Sequence, residues 1–526
     1  MKIDLAYFFK PDGCIQPTWI YGEKRAIALP LKHLSFTIDC LVEQSDAKWI
    51  LFWDYSLGAP DEKLILQLAE MPIDVWHAGL KLGLQGVPIA LDYMEPAWIY
   101  NKDAAETQLH TSFRMSIRAC LVRTEVLRMV GSLSAEYSSL EMSGVALGYR
   151  IHQQGGIIRY HPGLVGKKLE PLQVPEKDEW VFIREFFPKK WQLWTLFNKP
   201  GFISNYKLWR KTRKVKGNKL MPVLHSSKKR IESLPKASVS ILVPTLDRYN
   251  YLINELEQLS AQTVLPYEVL ITDQTSEVNA IDLNFDKYAN INVRYFPQKE
   301  RGQCVAWNKL LEEANGEYVL FLGDDADGIK PDLIEKLLQS RARFDSDMVA
   351  THVIELGIKY EEINEHYYLS GTFPITLIKK DLLLKTGFMD MFFNKNIRAD
   401  HELAMRCHLQ GALMIYDPSA VVYHHRAPAG GLRAHNARVI TNYMSKNSVN
   451  KFATPTSSEI YLVKKYYNDR QYTSYIKIRY FNQLVINGNV VKKILRIVFF
   501  LIKSLQLRKE YKKNYLLAMD NLHKNA

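Results

Sequence analysis

Three short apolar runs, each closing on polar residues, frame the second half of the chain. Residues 238–245 read SVSILVPT, a β-branched run ended by Pro244; 267–276 read YEVLITDQTS; and 317–327 read EYVLFLGDDAD. A helix-like stretch follows the first run, and AWNKLLEEANG leads into the third at helical spacing. Strand runs alternating with helical segments predict a parallel sheet built from βαβ units. Ligands of such sheets lie beyond the carboxyl ends of the strands, so the polar clusters closing these runs mark where chemistry is expected.

Near the C-terminus the period changes. GNVVKKILRIVFFLIKSLQLRKEYKK places Ile494, Val498, Leu501 and Leu505 on one helical face, opposite Lys492, Arg496 and Lys503, with Phe499 and Phe500 widening the apolar side. This pattern suits a helix in an anionic membrane interface or one docked on the protein itself. The longest uncharged apolar run there, Ile497 to Ile502, falls far short of the roughly 20 residues of a spanning helix, so none is expected. The start, MKIDLAYFFKPDG, carries no basic leader followed by an apolar segment, and predicts a cytoplasmic chain, peripheral at most on the cytoplasmic membrane face.

Sliding the two halves by 256 residues exposes a repeat. From Ala119 to Val165 the register runs without a gap against Ile375 to Val421, with eleven identities in 47 positions. Among them are Gly131 with Gly387, Arg150 with Arg406, His152 with His408, and Gly155 with Gly411. A looser match aligns Phe52 with Phe321, which sets Tyr55 and Ser56 opposite Asp324 and Asp325, and the main register sets Gly144 opposite Asp400. The first half therefore reads as a degenerate copy without a nucleotide site.

At 526 residues the chain is too long for one core. Its net charge of +13 is local: 207–236 carries eleven Lys/Arg against one Glu, and 491–526 nine against two, leaving the remainder slightly acidic. Such patches attract anionic partners, either phosphate-bearing lipid headgroups or nucleic acid. Five scattered cysteines without C-x-x-C spacing predict neither a disulfide framework nor a zinc site. The expected division is a degenerate domain at 1–176, an aromatic and basic connector at 177–236, a catalytic domain at 237–440 and a helical basic region at 441–526.

SVSILVPTLDR, EVLITDQTS, GQCVAWNKLLEEANGEYVLFLGDD, KTGFMDMFF and ADHELAMRCHLQGA, taken in this order and spacing, resemble the family 2 glycosyltransferases with the GT-A fold, from Ser238 to about His425. The resemblance implies an α/β architecture: a Rossmann-like, nucleotide-diphospho-sugar transferase domain in the C-terminal half, a degenerate GT-A-like N-terminal domain, and a helical tail. It implies inverting transfer from a nucleotide-diphosphate sugar, with a lean toward uridine, assisted by a divalent metal such as Mn²⁺ or Mg²⁺. A departing diphosphate needs a hard cation held by carboxylates. The resemblance assigns Asp325 and Asp327 to that cation, with His424 and His425 beside it, and Asp324 to the donor. Thr245, Asp247 and Asp273 fall at the base and ribose contacts, and Arg433 at a phosphate. The family's Glu-Asp pair falls on Ala399 and Asp400, making Asp400 the base that takes the acceptor's proton. Arg406 and His408 are expected to be structural, since both persist in the copy without acids.

The implied partners are a sugar nucleotide, a glycan or lipid-linked acceptor and an anionic membrane surface. Two other classes compete. A nucleic-acid-binding protein would use the basic segments, but these lie outside the α/β core and no recognition motif accompanies them. A sugar-binding scaffold without turnover would fit the decayed first half, and Asp325 with Asp400 argues against it for the second.

Overall fold

The computed structural model describes residues 2–9, 26–28, 34–217, 220, 236–356, 366–371, 375–425 and 442–524. In the first half β1 (Ile3–Phe8), β2 (Ala26–Ala28), β3 (Trp49–Asp54), β4 (Val75–His77), β5 (His110–Thr111), β6 (Ala119–Arg123) and β7 (Ile158–Tyr160) form one sheet in the order β2-β1-β3-β6-β4-β7-β5. Every residue of β1 and β3 is buried, as parallel strands covered on both faces require.

The second half repeats the plan. β8 (Val239–Thr245), β9 (Glu268–Asp273), β10 (Val293–Pro297), β11 (Tyr318–Phe321), β12 (Ala326–Asp327), β13 (Met348–Glu355), β14 (Tyr368–Leu369), β15 (Thr376–Lys379) and β16 (Met414–His424) form the other sheet, ordered β10-β9-β8-β11-β15-β13-β16-β12, with β14 also on β16. Setting β1 on β8, β3 on β11, β6 on β15, β4 on β13 and β7 on β16 reproduces the order of the strands and the direction of every pairing. Phe52 faces Cys120 where Phe321 faces Thr376, so the strand register agrees with the sequence offset. Among the described residues β10 and β12 have no counterpart in the first sheet.

Repeated residues hold repeated turns. Gly131 and Gly387 both end a helix at φ of about 80° (+80° and +79°), a region that disfavours side chains. Beside them Arg150 donates to the Val130 and Ser132 carbonyls, and Arg406 to those of Thr386, Gly387 and Phe388.

The halves share a hydrophobic core. Tyr100 lies between His152 and His408, with ring centroids 4.7 and 5.2 Å away, and donates its hydroxyl to the Ser370 carbonyl. Burial pushes His152 down to about 3 and His408 down to about 4, so both are neutral, and His408 Nε2 donates to the Lys102 carbonyl. Arg159 donates across the seam to the Gly411 carbonyl at 2.6 Å.

The expected connector is helical as far as Lys211, in segments Glu176–Phe186, Lys189–Asn198 and Phe202–Lys211. Trp180 is fully buried and donates to Asn205, because the aromatic side chains that look like linker decoration in sequence fill space against the first half's helices. Helices Ser457–Tyr466, Asp469–Asn482 and Val490–Lys524 close the chain. Among the described residues no helix is long and apolar enough to cross a membrane.

The seam tolerates no side chain at Gly411, whose φ is +86° and whose added Cβ would lie 2.0 Å from the Leu109 carbonyl oxygen. Gly86, at +75°, has open space around it. Gly411→Ala should therefore lower the thermal midpoint by roughly 5 °C or more, against roughly 2 °C for Gly86→Ala, where left-handed strain of about 1 kcal/mol acts alone. Thermal unfolding followed by circular dichroism checks the difference; equal shifts would mean that the seam adapts.

Candidate active site

β11 ends in GDDAD, and the chemistry open to the site depends on how those acids are separated. Asp324 and Asp325 are buried, and one guanidinium bridges them: Arg248 Nη1 lies 2.7 Å from Asp324 Oδ1 and 3.2 Å from Asp325 Oδ2. Thr245 Oγ1, at the end of β8, donates to Asp324 at 2.9 Å. Burial raises the Asp324 carboxyl to about 6 against the pull of Arg248, with Asp325 adding to the rise. Behind them Glu255 is fully buried, neither of its oxygens is hydrogen-bonded, and burial plus the two neighbouring carboxylates pushes it well above the usual range. Burial thus works against a third charge beside Asp324 and Asp325.

Asp325 turns toward a cavity of 470 Å³ whose wall includes Gln303, Trp307, Phe321, Asp325, Asp400 and His424. β12 pairs with the end of β16, setting Ala326 opposite His424, and this brings His424 Nε2 to 3.1 Å from Asp325 Oδ1. Trp307 and Phe321, with ring centroids 4.9 Å apart, give the cavity an apolar wall.

Asp400 enters from the Ala399–Leu409 helix, in whose first turn the helix dipole favours an anion. Its side chain is 45% exposed, and His401 Nδ1 lies 3.1 Å from Oδ1. Burial works to raise the carboxyl, but the charge and hydrogen bonds of His401, and then Arg398, outweigh it, so Asp400 lies below the usual carboxylate range. The helix start is held by Gln303, which donates to the Phe393 and Asn396 carbonyls.

The other expected site residues are placed differently. Asp327 lies outside the cavity wall: it accepts from Asn254, Gln258 and the Gly328 amide, and pairs with His425 at 2.6 Å. Burial raises its carboxyl, but these bonds outweigh that and bring it down to about 2. Asp327 and His425 thus pair with each other outside the residues that line the cavity. Asp273 closes β9 as expected, yet its Oδ2 already accepts from Tyr249 and Tyr295, and its Oδ1 from the Thr275 amide. One lone-pair direction on Oδ1 remains for a ligand. Asp247 is exposed with φ at +56°, its amide held by Thr275. Gln274 is buried and latches the 298–302 loop through Gln298, Glu300 and Gly302. Arg433 lies outside the described residues.

Sequence reasoning passed over Arg248 and Glu255. The Arg in TLDRYN, directly after a strand end, was the available signal for the first, and nothing in the local pattern singles out the second.

A hard cation keeps water and phosphate oxygens in most of its coordination sphere, so two protein ligands facing open space suffice. Asp325 and His424 fit that role. Among the described residues no cluster of three or more His, Cys, Asp or Glu forms a closed cage.

Residues 240–400 match the family described as glycosyl transferase family 2. An uncharacterized glycosyltransferase of Rickettsia felis is 25% identical over 215 residues, which cover 39% of this chain and 34% of that protein. Chondroitin synthase of Escherichia coli is 30% identical over 122 residues, covering 22% of this chain and 18% of the synthase. The chain thus spans about a third of the first relative's length and less of the second. Among solved structures, S. aureus TarS 1-349 in complex with UDP-GlcNAc aligns at 14% identity and a TM-score of 0.36, covering 55% of this chain and 92% of that one.

Glu402, two residues beyond Asp400, is fully buried and faces away, accepting from Arg406, Lys465 and Tyr466. Glu402→Gln should lower stability by about 2 kcal/mol, because the half-buried Arg406 loses the charge of a fully buried partner while Lys465 keeps Asp390. Urea unfolding checks this; an unchanged midpoint would show the ion cluster to be dispensable.

Proposed function

We propose that the chain, with a glycosyl transferase family 2 domain at residues 240–400, is an inverting, metal-dependent glycosyltransferase. Its donor is a nucleotide-diphosphate sugar, uridine-linked, and its acceptor a glycan or lipid-linked saccharide of cell-surface polysaccharide synthesis. The observation that carries this reading is that Asp325 and Asp400 line one cavity: a carboxylate beside an imidazole, and a second, ionised carboxylate at a helix start.

Asp400 accepts the proton of the acceptor hydroxyl as that oxygen attacks the anomeric carbon from the face opposite the leaving diphosphate. Asp325 and His424 would hold a divalent ion, which would supply positive charge for the leaving diphosphate. Arg248 lies against the same acids and is placed to follow phosphate oxygens when the donor enters. The free lone-pair direction of Asp273 supports a nucleobase contact at the end of β9, and Asp247 and Arg433 belong to the ribose and phosphate ends of the donor. Trp307 and Phe321 exclude water from the reacting centre.

The first sheet supports a second copy of the domain that lost its site. Asp54 is engaged by Arg118 at 2.7 Å, and Met115 and Ile117 pack directly on the helix containing Gly144, the position of Asp400. A Cβ at Gly144 would lie 2.8 Å from the Ile117 amide nitrogen, so no acid fits there.

Asp400→Asn should keep donor binding and lose transfer by roughly 10²- to 10⁴-fold, since the amide preserves shape but accepts no proton. Transfer assays beside donor-binding calorimetry check it, and full transfer by the variant would unseat Asp400 as base. Asp325→Ala should abolish the Mn²⁺-dependent part of donor binding, read as the loss of a Mn²⁺-dependent thermal shift with uridine diphosphate. A shift equal to that of the unaltered protein would move the ion to Asp327.

A further inference from the structure

The Val490–Lys524 helix is anchored on one side only. Arg496 is fully buried and donates to the Gln483, Ser448 and Lys451 carbonyls, each at 2.6 Å, and to Ser445 Oγ, with its guanidinium 4.0 Å above the Phe452 ring. Arg496 thus belongs to the docked face, not to a membrane-facing basic stripe. Phe500, which packs on Phe452, belongs to the same side. Half a turn round, Val490, Ile494, Val498, Leu501 and Leu505 are 44–69% exposed. Arg508, Lys509, Lys512 and Lys513 follow, all exposed, and the one acid among them, Glu510, is bonded to Thr454.

A second apolar ridge lies on the Lys189–Asn198 and Phe202–Lys211 helices. Phe197 and Ile203 are each 72% exposed, and Phe202 stacks between Phe197 at 5.5 Å and Tyr206 at 6.2 Å. Beside the ridge a 480 Å³ cavity is lined by Lys189, Arg210, Arg213, Tyr206 and Trp209 with Arg184, and among the described residues no acid lines it. Arg184 is engaged by Thr212 and Gln192, whereas Lys189, Arg210 and Arg213 form no ion pair among the described residues. The two regions meet at a seam: Trp194, one turn before Phe197, packs edge-on against Phe481 at 5.1 Å, two residues from the Gln483 carbonyl that anchors Arg496.

We infer that these regions form one two-part surface that docks on a lipid bilayer with anionic headgroups. The apolar side chains enter the boundary of the acyl region, the lysines and arginines lie at the level of the phosphates, and the cationic cavity takes a phosphate headgroup. Charge decides among occupants. A second copy of the chain packed face to face would set these cations against their own kind. Nucleic acid would satisfy the charge but leave both apolar ridges in water. A bilayer satisfies both. None of these residues belongs to the candidate active site, so the inference stands apart from the transferase reading.

Co-sedimentation of the full chain with phosphatidylcholine vesicles, with and without phosphatidylglycerol, tests it. Binding should require phosphatidylglycerol, and L501E/L505E, F202S/I203S and R210E/R213E should each weaken partitioning by roughly tenfold or more. All six positions are solvent-facing or cavity-lining, and retained circular dichroism and thermal midpoints establish that the variants fold. No binding by the unaltered chain, equal binding to neutral vesicles, or loss confined to the variants of one region would overturn the two-part surface. A dimer in sedimentation velocity that L501E/L505E dissolves would assign the ridge to a second copy instead.

Discussion

Two carboxylates buried side by side at the end of a strand demand positive charge, and the second half is arranged around that demand. Removing an ionised carboxylate from water costs several kcal/mol unless a cation answers it. Here one arginine answers two acids, Thr245 supplies a hydrogen bond to one of them, and burial works against a further charge on Glu255 behind them. The acids remain in excess over the one guanidinium that bridges them. That excess leaves the end of β11 negatively charged, which is the electrostatic basis on which the proposed function rests. The pairing of β12 with β16 sets Ala326 opposite His424, and the two acids flanking Ala326 take different partners, Asp325 meeting His424 and Asp327 meeting His425.

The first half shows the consequence when the demand is lifted. With Tyr55 and Ser56 in place of the two acids, no charge has to be kept accessible, and the space closes: Met115 and Ile117 are fully buried against a helix whose glycines 144 and 148 admit them. What the two halves keep in common is mechanical. Gly131 and Gly387 adopt the same backbone geometry, Arg150 and Arg406 tie the same turn, and the paired histidines meet on either side of Tyr100. Identity between the halves therefore falls on residues that hold the turns and the seam, and the acids of the second half fall among the differences.

The strands of the second half and the Phe52 to Phe321 register were legible because periodicity and strand length are local properties. That Asp325, Asp400 and His424 lie at the ends of elements was legible from polar residues beside apolar runs, and the structure places all three on one cavity wall. Asp327 and His425 show the limit. They are as acidic and as basic as their neighbours in sequence, and only the pairing of β12 with β16 takes them out of the cavity. Glu255 was out of reach for a different reason: its environment is made by β11, some 70 residues away in sequence. The aromatic segment after Glu176 misled because tryptophans give no period when they fill irregular space, and Trp180 is fully buried among the helices of the first half.

The C-terminal helix carries the same lesson into function. Its sequence divides cleanly into an apolar and a basic face, but spacing alone does not say which face meets the protein. A guanidinium can be buried when most of its five donors are met, and four oxygen acceptors with an aromatic ring beneath hold Arg496 without any carboxylate. Five apolar side chains have no such alternative and remain outside. The same helix is tied back toward the chemistry: Glu510 and Asn514 hold the 454–455 segment, from which the Ser457–Tyr466 helix begins. That helix ends in Lys465 and Tyr466, both bonded to Glu402 on the helix of Asp400. A surface placed by the last helix therefore also orients the cavity, through contacts that need no moving part.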